Sequence, residues 1–571
     1  MTVINNVKAP WLDNYGDVPA NLDYFKGTMF EALCKIAGEY PDNICYDFMG
    51  KKTKYPAMIA KIEDCARGLL ALGIKKGDKV TVCLPNCPQS VIMFYAINRI
   101  GAIASMIHPL SGENEIKFYL EESESVAAIT LDQFYPKFAA IRGETQLKTL
   151  IIASIKDELP GIVKVGFALT EGRKIASIPA DADVVLWNDL MKAGKNTPLP
   201  KIDADINAPA VILYSGGTTG VNKGILLSNF NFNALGEQVI ATNPIFAPGD
   251  KMLAVMPVFH GFGLGVSIHT MLMKGGRCVL VPRFNAESYA KLLKKHKCNF
   301  IAGVPTLYEA LIRQESMNGV DLSFLKGCFS GGDSLSPELK KKFDKFLADH
   351  GASIVIREGY GTTECVTASC LTPMHLAKEG SIGQPFPDTF YKIVTPGTNV
   401  ELPLGMEGEI CISGPTVMLG YYKHEEETAN TLRTHEDGRV WVHTGDLGLM
   451  DEDGFIYFRQ RIKRMIITSG YNVYPSAVEN IIDALDFVQM SCVIGLPDDY
   501  KGQKIKAFVM LKEGITPTDE HKALIIEHCK KNVARYAMPY EIEFRDSLPK
   551  TLVGKVAYRV LEEEELSKIE K

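Results

Sequence analysis

Short apolar runs that alternate with helix-length segments restrict the fold of this 571-residue chain more than any other feature. The clearest runs are AVILYS (210–215), RCVLVP (277–282), NFIAGVP (299–305) and ASIVIREGYG (352–361). Helices are predicted at AESYAKLLKKH (286–296) and SPELKKKFDKFLADHG (336–351), the second with Ser336 as N-cap, Pro337 in the first turn and Gly351 at its end. Continuous apolar strands between helices are typical of buried sheets, so the pattern predicts an α/β fold.

The pattern changes along the chain. After about residue 385, short β segments punctuated by glycine (GEICISGP, GRVWVHTGD, GFIYFRQR) predict a mixed β subdomain. A boundary near Arg459–Lys463 then divides a large N-terminal domain, residues 1–460, from a small α+β C-terminal domain, residues 461–571. Helix starts in the smaller unit are predicted at Pro475 and at a cap formed by Thr516, Pro517 and Asp519. A single core stops growing at about 250 to 300 residues, so two compact units with a ligand site between them are expected.

Composition excludes several classes of protein. An apolar content of 46% with 23% charged residues suits a soluble globular protein. The net charge of −6 and the pI near 6.1 give no basic field for a phosphate backbone, so no nucleic-acid partner is expected. Thirteen cysteines without a C-x-x-C pair, several of them inside apolar runs, indicate reduced thiols and predict a cytoplasmic location.

No membrane-spanning segment is predicted. The N-terminus lacks an apolar stretch of signal-peptide length. Residues 252–273 are long enough to cross a bilayer, but they contain a proline, two histidines and three glycines and lack aromatic and basic flanks. Buried core is the better interpretation, and peripheral contact with a membrane and the oligomeric state stay open.

The segment YSGGTTGVNKG (214–224) is a candidate phosphate-binding loop. It fits neither the Walker A spacing nor the Rossmann pattern, and its apolar flanks suggest that it joins two strands. Such a loop binds an anion through backbone amides, hydroxyls and a nearby cation. These groups would come from Ser215, Gly216, Gly217, Thr218, Thr219, Gly220 and Lys223. A plain hairpin turn is the alternative, but it rarely needs three hydroxyls and a lysine beside four glycines.

Further motifs follow in a fixed order. They are GYGTTE (359–364), TGD (444–446), RQRIKRMIITSGYNVYP (459–475) and LPKTLVGK (548–555), with LGIKKGDKVTVCLPN (72–86), PVFHGFG (257–263), SGGDSL (330–335) and GSIGQP (380–385) elsewhere in the chain. With these motifs the chain closely resembles the AMP-forming acyl- and aryl-CoA ligases of the adenylate-forming superfamily, which also contains luciferases and peptide-synthetase adenylation domains. The resemblance covers nearly the whole chain and implies that the C-terminal domain is mobile.

The resemblance implies a reaction in two halves that uses ATP, Mg²⁺ and coenzyme A. A carboxylate first attacks the α-phosphorus of ATP, giving an acyl-adenylate and pyrophosphate, and a thiol then expels AMP. Lys223 and its loop would hold the β- and γ-phosphates. Thr363 would contact the α-phosphate, and Glu364 would be the magnesium-linked carboxylate.

The resemblance also implies roles for the other motifs. Tyr360, with Gly332 and Asp333, would lie at the adenine, and Asp446 and Arg461 would hold the ribose. Lys555 would bridge the carboxylate and the α-phosphate, with His260 near the acid and the thiol. Lys463 matches the hinge, and Gly470 and Tyr471 would line the passage for the pantetheine arm of CoA. Four positions depart from the common pattern, namely Gly216, Asn222, Gln460 and Arg464.

The substrate is less determined than the reaction. The region PVFHGFGLG has no carboxylate that could accept an amino-acid ammonium, which favours an uncharged acyl tail. Gly261, Gly263 and Gly265 are compatible with a tunnel for a medium- or long-chain fatty acid. The leading hypothesis is an ATP-dependent carboxylic acid:CoA ligase acting on such acids. Alternatives are an aryl-acid CoA ligase, an enzyme that loads a carrier protein or stops at the adenylate, and a nucleotide-binding regulatory module without turnover.

Overall fold

The structure, a computed structural model, describes residues 3–4, 7–175, 177–180, 182–201, 205–216, 222–469, 471–498, 500–551 and 556–569. Two large sheets, parallel through most of their strands, form the bulk of the molecule. The strands of the eight-stranded sheet, in spatial order, are Gly420–Tyr421, Asn222–Ser228, Pro209–Gly216, Ile103–Met106, Lys79–Cys83, Ala127–Leu131, Thr149–Ala153 and Val185–Leu186. Those of the nine-stranded sheet are Gln384–Pro385, Cys370–Leu371, Ile356–Tyr360, Gly327–Ser330, Phe300–Gly303, Lys251–Ala254, Arg277–Leu280, Ile44–Phe48 and Lys51–Lys54.

Helices connect these strands. They are Met29–Glu39, Tyr55–Ala71, Pro88–Arg99, Glu113–Ser123, Tyr135–Ile141, Gly161–Leu169, Trp187–Ala193, Asn229–Ala241, Met271–Met273, Ala286–His296, Pro305–Ile312, Pro337–Asp349 and Glu425–Thr431. Phe262–Thr270 is a π-helix. The α/β prediction is confirmed, because strands such as Ala127–Leu131 are buried at every position and one continuous core packs both large sheets.

Two smaller sheets complete the chain. An antiparallel sheet contains Phe390–Val394, Gly408–Ser413, Val440–Met450, Leu432–Thr434 and Ile456–Arg461. The C-terminal sheet contains Tyr471–Val473, Ile466–Thr468, Gly502–Leu511, Val488–Asp498 and Glu541–Phe544. It packs with the helices Pro475–Asp483, Asp519–Asn532 and Tyr558–Ile569 around its own apolar clusters, as expected for a small α+β unit. The short strands Val3–Ile4 and Val7–Lys8 pair near the N-terminus.

Most local predictions match the structure. The helix Ala286–His296 has the predicted bounds, and the Ser336 side chain accepts a hydrogen bond from the Leu339 amide as an N-cap. The strand in 352–361 is shorter than expected, since it begins at Ile356. One predicted cap is wrong: Thr518, not Thr516, caps the helix Asp519–Asn532 by accepting from the His521 amide. The division at residue 460/461 stays a prediction.

The segment 252–273 is buried, as predicted, and forms a strand and the π-helix. None of the helices in the described part of the chain combines the length and apolarity needed to span a bilayer. All thirteen cysteines are free thiols, and Cys34 is exposed while the others are buried.

Strand direction gathers the predicted motifs at one edge. The strands Lys251–Ala254, Phe300–Gly303, Gly327–Ser330 and Ile356–Tyr360 run parallel to one another. PVFHGFG, SGGDSL and GTTE therefore all follow the carboxyl ends of strands in the same sheet. Loops at that edge are the usual ligand-binding position in open α/β sheets.

The buried π-helix holds a histidine that must stay neutral. His269 is fully buried, Tyr95 Oη lies 2.9 Å from its Nδ1, and its Nε2 lies 3.0 Å from Asn233 Oδ1. Since an amide oxygen only accepts hydrogen bonds, Nε2 carries the proton and Nδ1 accepts from Tyr95. Burial lowers the His269 pKa to about 3.

We expect this histidine to make the fold acid-sensitive. A group whose pKa is lower in the folded state keeps its full contribution above its unfolded pKa of about 6.5 and loses it as the pH falls toward 3. The loss attributable to His269 is about 2 kcal/mol between pH 7.5 and pH 5. Urea unfolding of the wild type and of His269→Gln at both pH values measures it. An equal pH dependence in the two proteins would contradict the assignment.

Candidate active site

Three loops at the carboxyl edge of the nine-stranded sheet touch backbone to backbone. A Cβ atom added at Gly261 would lie 1.8 Å from the carbonyl oxygen of Val366, and one added at Gly331 would lie 3.2 Å from that of Gly359. The PVFHGFG motif thus packs against Val366, two residues after GYGTTE. The SGGDSL loop packs against Gly359, near the end of the strand Ile356–Tyr360. The three motifs form one surface, as the strand order predicts.

A buried carboxylate from another sheet reaches this surface. Tyr360 Oη donates a 2.6 Å hydrogen bond to Asp446 Oδ2, and Arg461 Nε lies 3.3 Å from Asp446 Oδ1. Asp446 and Arg461 face each other on neighbouring antiparallel strands. Burial, and then the charge of Asp446, raises the pKa of the Tyr360 phenol well above its usual value, so it remains a donor. The structure therefore brings together the residues predicted at the adenine and at the ribose.

The turn that carries Asp446 is fixed by residues that the sequence analysis did not identify. Glu409 Oε1 accepts a 3.0 Å hydrogen bond from the Gly445 amide, and its Oε2 lies 3.1 Å from His443 Nδ1. Gly445 has a φ of +68°, a conformation that a side chain would strain. The only sequence signal for this support was the position of Glu409 in GEICISGP.

Tyr421 connects the predicted metal carboxylate with the predicted phosphate lysine. Its Oη donates to Glu364 Oε1 at 2.8 Å, while Lys223 Nζ lies 5.5 Å from the centre of its ring. Lys223 Nζ is also 3.2 Å from Glu427 Oε1. Glu427 is partly exposed, so a bound phosphate can compete with it for the lysine. Thr363 begins the short 3-10 helix Thr363–Cys365 beside these groups.

Two buried hydroxyls in the same loops have no hydrogen-bond partner among the residues that the structure describes. Thr362 Oγ1 and Ser330 Oγ are inaccessible to solvent and make no hydrogen bond with any described residue. Buried polar atoms are nearly always satisfied in folded proteins, so an unpaired one needs an explanation, such as a catalytic role or a bound ion. The described residues also contain no group of three or more His, Cys, Asp or Glu side chains able to hold a metal.

Glu358 is a further carboxyl group near the site, and the sequence motifs did not identify it. It lies two residues before Tyr360, and its Oε1 accepts a 3.1 Å hydrogen bond from the Leu335 amide of the SGGDSL loop. Burial raises its pKa to about 7. Gly332 in that loop has a φ of +81°, and the exposed Asp333 accepts from the Ser334 amide at 3.0 Å.

The candidate phosphate loop joins two antiparallel strands, as predicted. Ser215 pairs with Lys223 and Gly216 with Asn222 in the strand register. Gly217, Thr218, Thr219 and Gly220 lie outside the described residues. Asn222, one of the four unusual positions, donates a 2.6 Å hydrogen bond from Nδ2 to Tyr119 Oη, whose ring lies 4.4 Å from that of Tyr214.

We expect this hydrogen bond to hold the base of the loop in place. Tyr119→Phe removes the acceptor and leaves the ring contact intact, so the loop should become less ordered. The expected result is a rise in KM for ATP of about fivefold, with kcat within about twofold, because a neutral hydrogen bond contributes about 1 kcal/mol. Steady-state kinetics check it, with Tyr135→Phe as the control. An unchanged KM for ATP would show that Asn222 does not need Tyr119.

His260 is the fourth residue of PVFHGFG and is half-buried. Its Nδ1 accepts a 3.2 Å hydrogen bond from the Phe262 amide. The glycines that follow do not leave empty space: an added Cβ would lie 2.0 Å from the Pro257 carbonyl oxygen at Gly263 and 2.7 Å from Leu235 at Gly265. These glycines allow close packing of neighbouring segments, and the tunnel for the acyl chain stays a prediction.

The C-terminal unit contains the residues predicted at the hinge and at the CoA passage. Lys463 is exposed in the 3-10 helix Ile462–Arg464. Arg464, a second unusual position, pairs with Glu479 and lies 4.9 Å from the Tyr558 ring, so its partner belongs to the C-terminal unit. Tyr471 stacks on Tyr536 with ring centres 4.4 Å apart. Gly470 and Lys555 lie outside the described residues.

Described residues on either side of residues 552–555 show how this part of the C-terminal unit pairs. Lys550 and Val556 form an antiparallel bridge. Asp446 is the main cause of the raised Arg461 pKa, and Tyr360, Glu364 and Tyr558 also contribute. Tyr558, three residues beyond Lys555, is thus within electrostatic reach of the residues predicted at the ribose.

Gln460, another of the four positions that depart from the common family pattern, has a buried side chain. Gln460 is 2% exposed, and neither side-chain polar atom bonds to any residue that the structure describes. Its strand neighbour is Arg461, so this unpaired amide belongs to the same region.

The fold and these groups define a nucleotide-binding protein with a large α/β part and a small C-terminal α+β unit. Family models agree: the chain matches "AMP-binding enzyme" over residues 34–422 and "AMP-binding enzyme C-terminal domain" over 477–555. This chain belongs to the AMP-binding enzyme family.

Known proteins resemble the chain over nearly its whole length. It is 37% identical to a long-chain-fatty-acid–CoA ligase of Bacillus subtilis, covering 97% of this chain and 98% of the relative. It is 31% identical to the protein of that name in Yersinia pestis, with coverage of 97% and 98%. The solved structure of the anthranilate CoA ligase AuaEII with anthranoyl-AMP superposes with a TM-score of 0.82 at 23% identity, covering 96% of this chain and 98% of that one.

Proposed function

We propose that this protein is an ATP- and Mg²⁺-dependent carboxylic acid:CoA ligase that forms an acyl-adenylate and then a thioester, and that it acts on medium- or long-chain fatty acids. The observation that carries the proposal is the buried Asp446 carboxylate held between Tyr360 and Arg461. A carboxylate fixed in this way can accept hydrogen bonds from two neighbouring hydroxyls, which suits the ribose of a nucleotide.

The substrate proposal rests on the names of the relatives and on the lack of an acidic residue that could pair with an ammonium group of the substrate. The Bacillus subtilis and Yersinia pestis proteins are long-chain-fatty-acid–CoA ligases by name. No acidic residue occurs in the sequence between Pro257 and Thr270, so an amino-acid substrate would leave its ammonium unpaired in an apolar region. An aryl acid is the second candidate, favoured by 32% identity to a probable 4-coumarate–CoA ligase of Dictyostelium discoideum.

In the first half-reaction the protein must bring a carboxylate to a triphosphate despite their mutual repulsion. Lys223 would leave Glu427 for the phosphates that depart as pyrophosphate, and Lys555 would bridge the attacking carboxylate and the α-phosphate. Thr363, beside the unpaired Thr362 hydroxyl, would contact the α-phosphate. Catalysis on this account comes from positioning and charge, with no covalent bond to the protein.

The nucleoside would lie along the loops that the sheet gathers. Tyr360 would contact the adenine from the side that Gly332 and Asp333 also line, and Asp446 and Arg461 would hold the ribose. The SGGDSL loop is tied to this strand through the hydrogen bond from Leu335 to Glu358.

Glu364 is the residue that would hold Mg²⁺. A single carboxylate oxygen, with phosphate oxygens and water completing the shell, fits the preference of this ion, and the described residues offer no larger acidic cluster that would favour Ca²⁺. The ion would neutralise phosphate charge when bound. Tyr421 donates to Glu364 Oε1 and so would orient the carboxylate.

The second half-reaction requires a thiol to reach the adenylate. Rotation of the C-terminal domain, residues 461–571, about Lys463 would withdraw Lys555 and bring Gly470 and Tyr471 to the passage for the pantetheine arm. His260 is half-buried and lies two residues before the π-helix Phe262–Thr270. It would orient the acid. Free CoA is the proposed acceptor rather than a carrier protein, in line with the names of the relatives.

A substrate panel tests the proposal. Release of pyrophosphate and AMP is measured with acetate, octanoate, palmitate, benzoate and 4-coumarate, with and without CoA. We expect the highest kcat/KM with octanoate or palmitate, and AMP release in multiple turnovers only when CoA is present. No acid-dependent nucleotide cleavage would refute ligase activity, and a preference for benzoate or 4-coumarate would favour the aryl candidate.

A further inference from the structure

A second cluster of cationic side chains lies at the opposite edge of the nine-stranded sheet. A cavity of about 430 Å³, here named the basic cavity, is lined by Asp47, Lys52, Lys251, Arg277, Lys295 and His296. Lys251 and Arg277 are the first residues of parallel strands, whereas the nucleotide loops follow the carboxyl ends of that sheet. A four-residue strand spans about 13 Å, so the cavity is separate from the proposed active site.

Part of this charge has a structural explanation. Lys251 Nζ donates a 2.7 Å hydrogen bond to the carbonyl of His296 and so caps the end of the helix Ala286–His296. Arg277 donates to Asp47 Oδ2 at 2.5 Å, while Asp47 Oδ1 accepts from the Gly50 amide at 3.0 Å. The only carboxylate of the lining is therefore already engaged by the protein.

The rest of the charge is not compensated. Lys52 and Lys295 are exposed, and within the described ranges neither they nor Lys251 pair with a carboxylate. The Nε–H of Arg277 is buried and has no hydrogen-bond partner among described residues. A buried donor on a guanidinium beside surplus positive charge is the arrangement that a multiply charged oxyanion would complete.

The neighbouring histidine supports this view. Burial is the largest cause of the lowered His296 pKa, and the charges of Lys295, Arg277 and Lys251 lower it further, against the opposing charge of Asp47. Three cations thus act on His296, although the protein as a whole has a net charge of −6.

We propose that the basic cavity is a binding site for a compact phosphate-bearing anion, such as a pyrophosphate or phosphorylated metabolite, distinct from the nucleotide site. Its volume lies within the range typical of small-molecule pockets. Arg277 supplies the buried donor, and Lys52 and Lys295 supply exposed cations. The phosphate can belong to a free metabolite or to a lipid headgroup, and the same residues would bind either one.

His296 provides a local readout that does not depend on catalysis. The protein contains 11 histidines, and the resonance of His296 in ¹³C-histidine-labelled enzyme is assigned with His296→Gln. Inorganic pyrophosphate, titrated at constant ionic strength, should raise the His296 pKa by about one unit in a saturable manner, because a nearby negative charge favours the protonated ring. Lys223→Ala should leave this response intact, which separates it from pyrophosphate at the proposed active site.

Matched variants identify the residues responsible. Lys52→Ala/Lys295→Ala should weaken the response at least tenfold in pyrophosphate concentration. Lys291→Ala/Lys345→Ala, which removes two exposed lysines paired with Glu287 and Asp349, should not change it.

A vesicle experiment distinguishes the two sources of phosphate. If the wild type, but not Lys52→Ala/Lys295→Ala, sediments with vesicles containing phosphatidic acid and not with pure phosphatidylcholine, the site binds a lipid headgroup. A pyrophosphate response without vesicle binding assigns it to a free metabolite. The absence of both responses, or responses that survive in Lys52→Ala/Lys295→Ala, would overturn the proposal.

Discussion

Replacing Lys555 with alanine is expected to lower acid-dependent pyrophosphate release by about three orders of magnitude. Removing one positioned charge-stabilising donor from a reacting centre typically costs about 10²- to 10³-fold, and here the donor is a full cation between two anions. Thioester formation from a supplied acyl-adenylate and CoA should change by less than about threefold, because that step does not bring a carboxylate to a phosphate.

Single-turnover assays of the two half-reactions provide the measurement. Lys530→Ala is the matched control, since Lys530 is an exposed lysine of the same C-terminal unit and should retain both activities. If Lys555→Ala impaired both half-reactions equally, the proposal that the C-terminal domain alternates between two orientations would fail.

Asp446→Asn is expected to reduce kcat/KM for ATP by about 100-fold. The carboxylate is 2% exposed at the side chain and accepts the Tyr360 hydrogen bond, so its neutral amide would face the phenol and the ribose with a mismatched donor. A hydrogen bond to a charged group contributes about 1.5 to 3 kcal/mol, so losing one to the ribose accounts for the expected decrease.

The kinetic pattern distinguishes this role from a general loss of stability. KM for ATP should rise while KM for the acid stays within about twofold, and thermal unfolding establishes that the variant is folded. Asp451→Asn, which removes a carboxylate paired with Lys378 in the same part of the chain, is the control and should retain its KM for ATP. An unchanged KM for ATP in Asp446→Asn would place the ribose elsewhere.

Local patterns predicted much of the fold. The helix Ala286–His296 and the cap at Ser336 follow from apolar periodicity and capping chemistry, which depend on residues only a few positions apart. The strands on either side of the glycine loop could also be predicted from the sequence, because apolar runs directly border the loop. The shift of a cap from Thr516 to Thr518 shows the limit, since several hydroxyls near a helix start compete for the same amides.

The amino-acid sequence by itself determined which chemical groups are present and in what order: a candidate phosphate loop, a tyrosine, a carboxylate, an arginine and a C-terminal lysine. Only the tertiary structure decided which of them meet. Tyr360 and Asp446 are 86 residues apart, and their hydrogen bond exists because two different sheets pack against each other. The support of the Gly445 turn by Glu409, the tie between Asn222 and Tyr119, and the close packing at Gly261 have the same origin. Such contacts depend on distances between segments remote in the chain, which periodicity and local propensity do not encode.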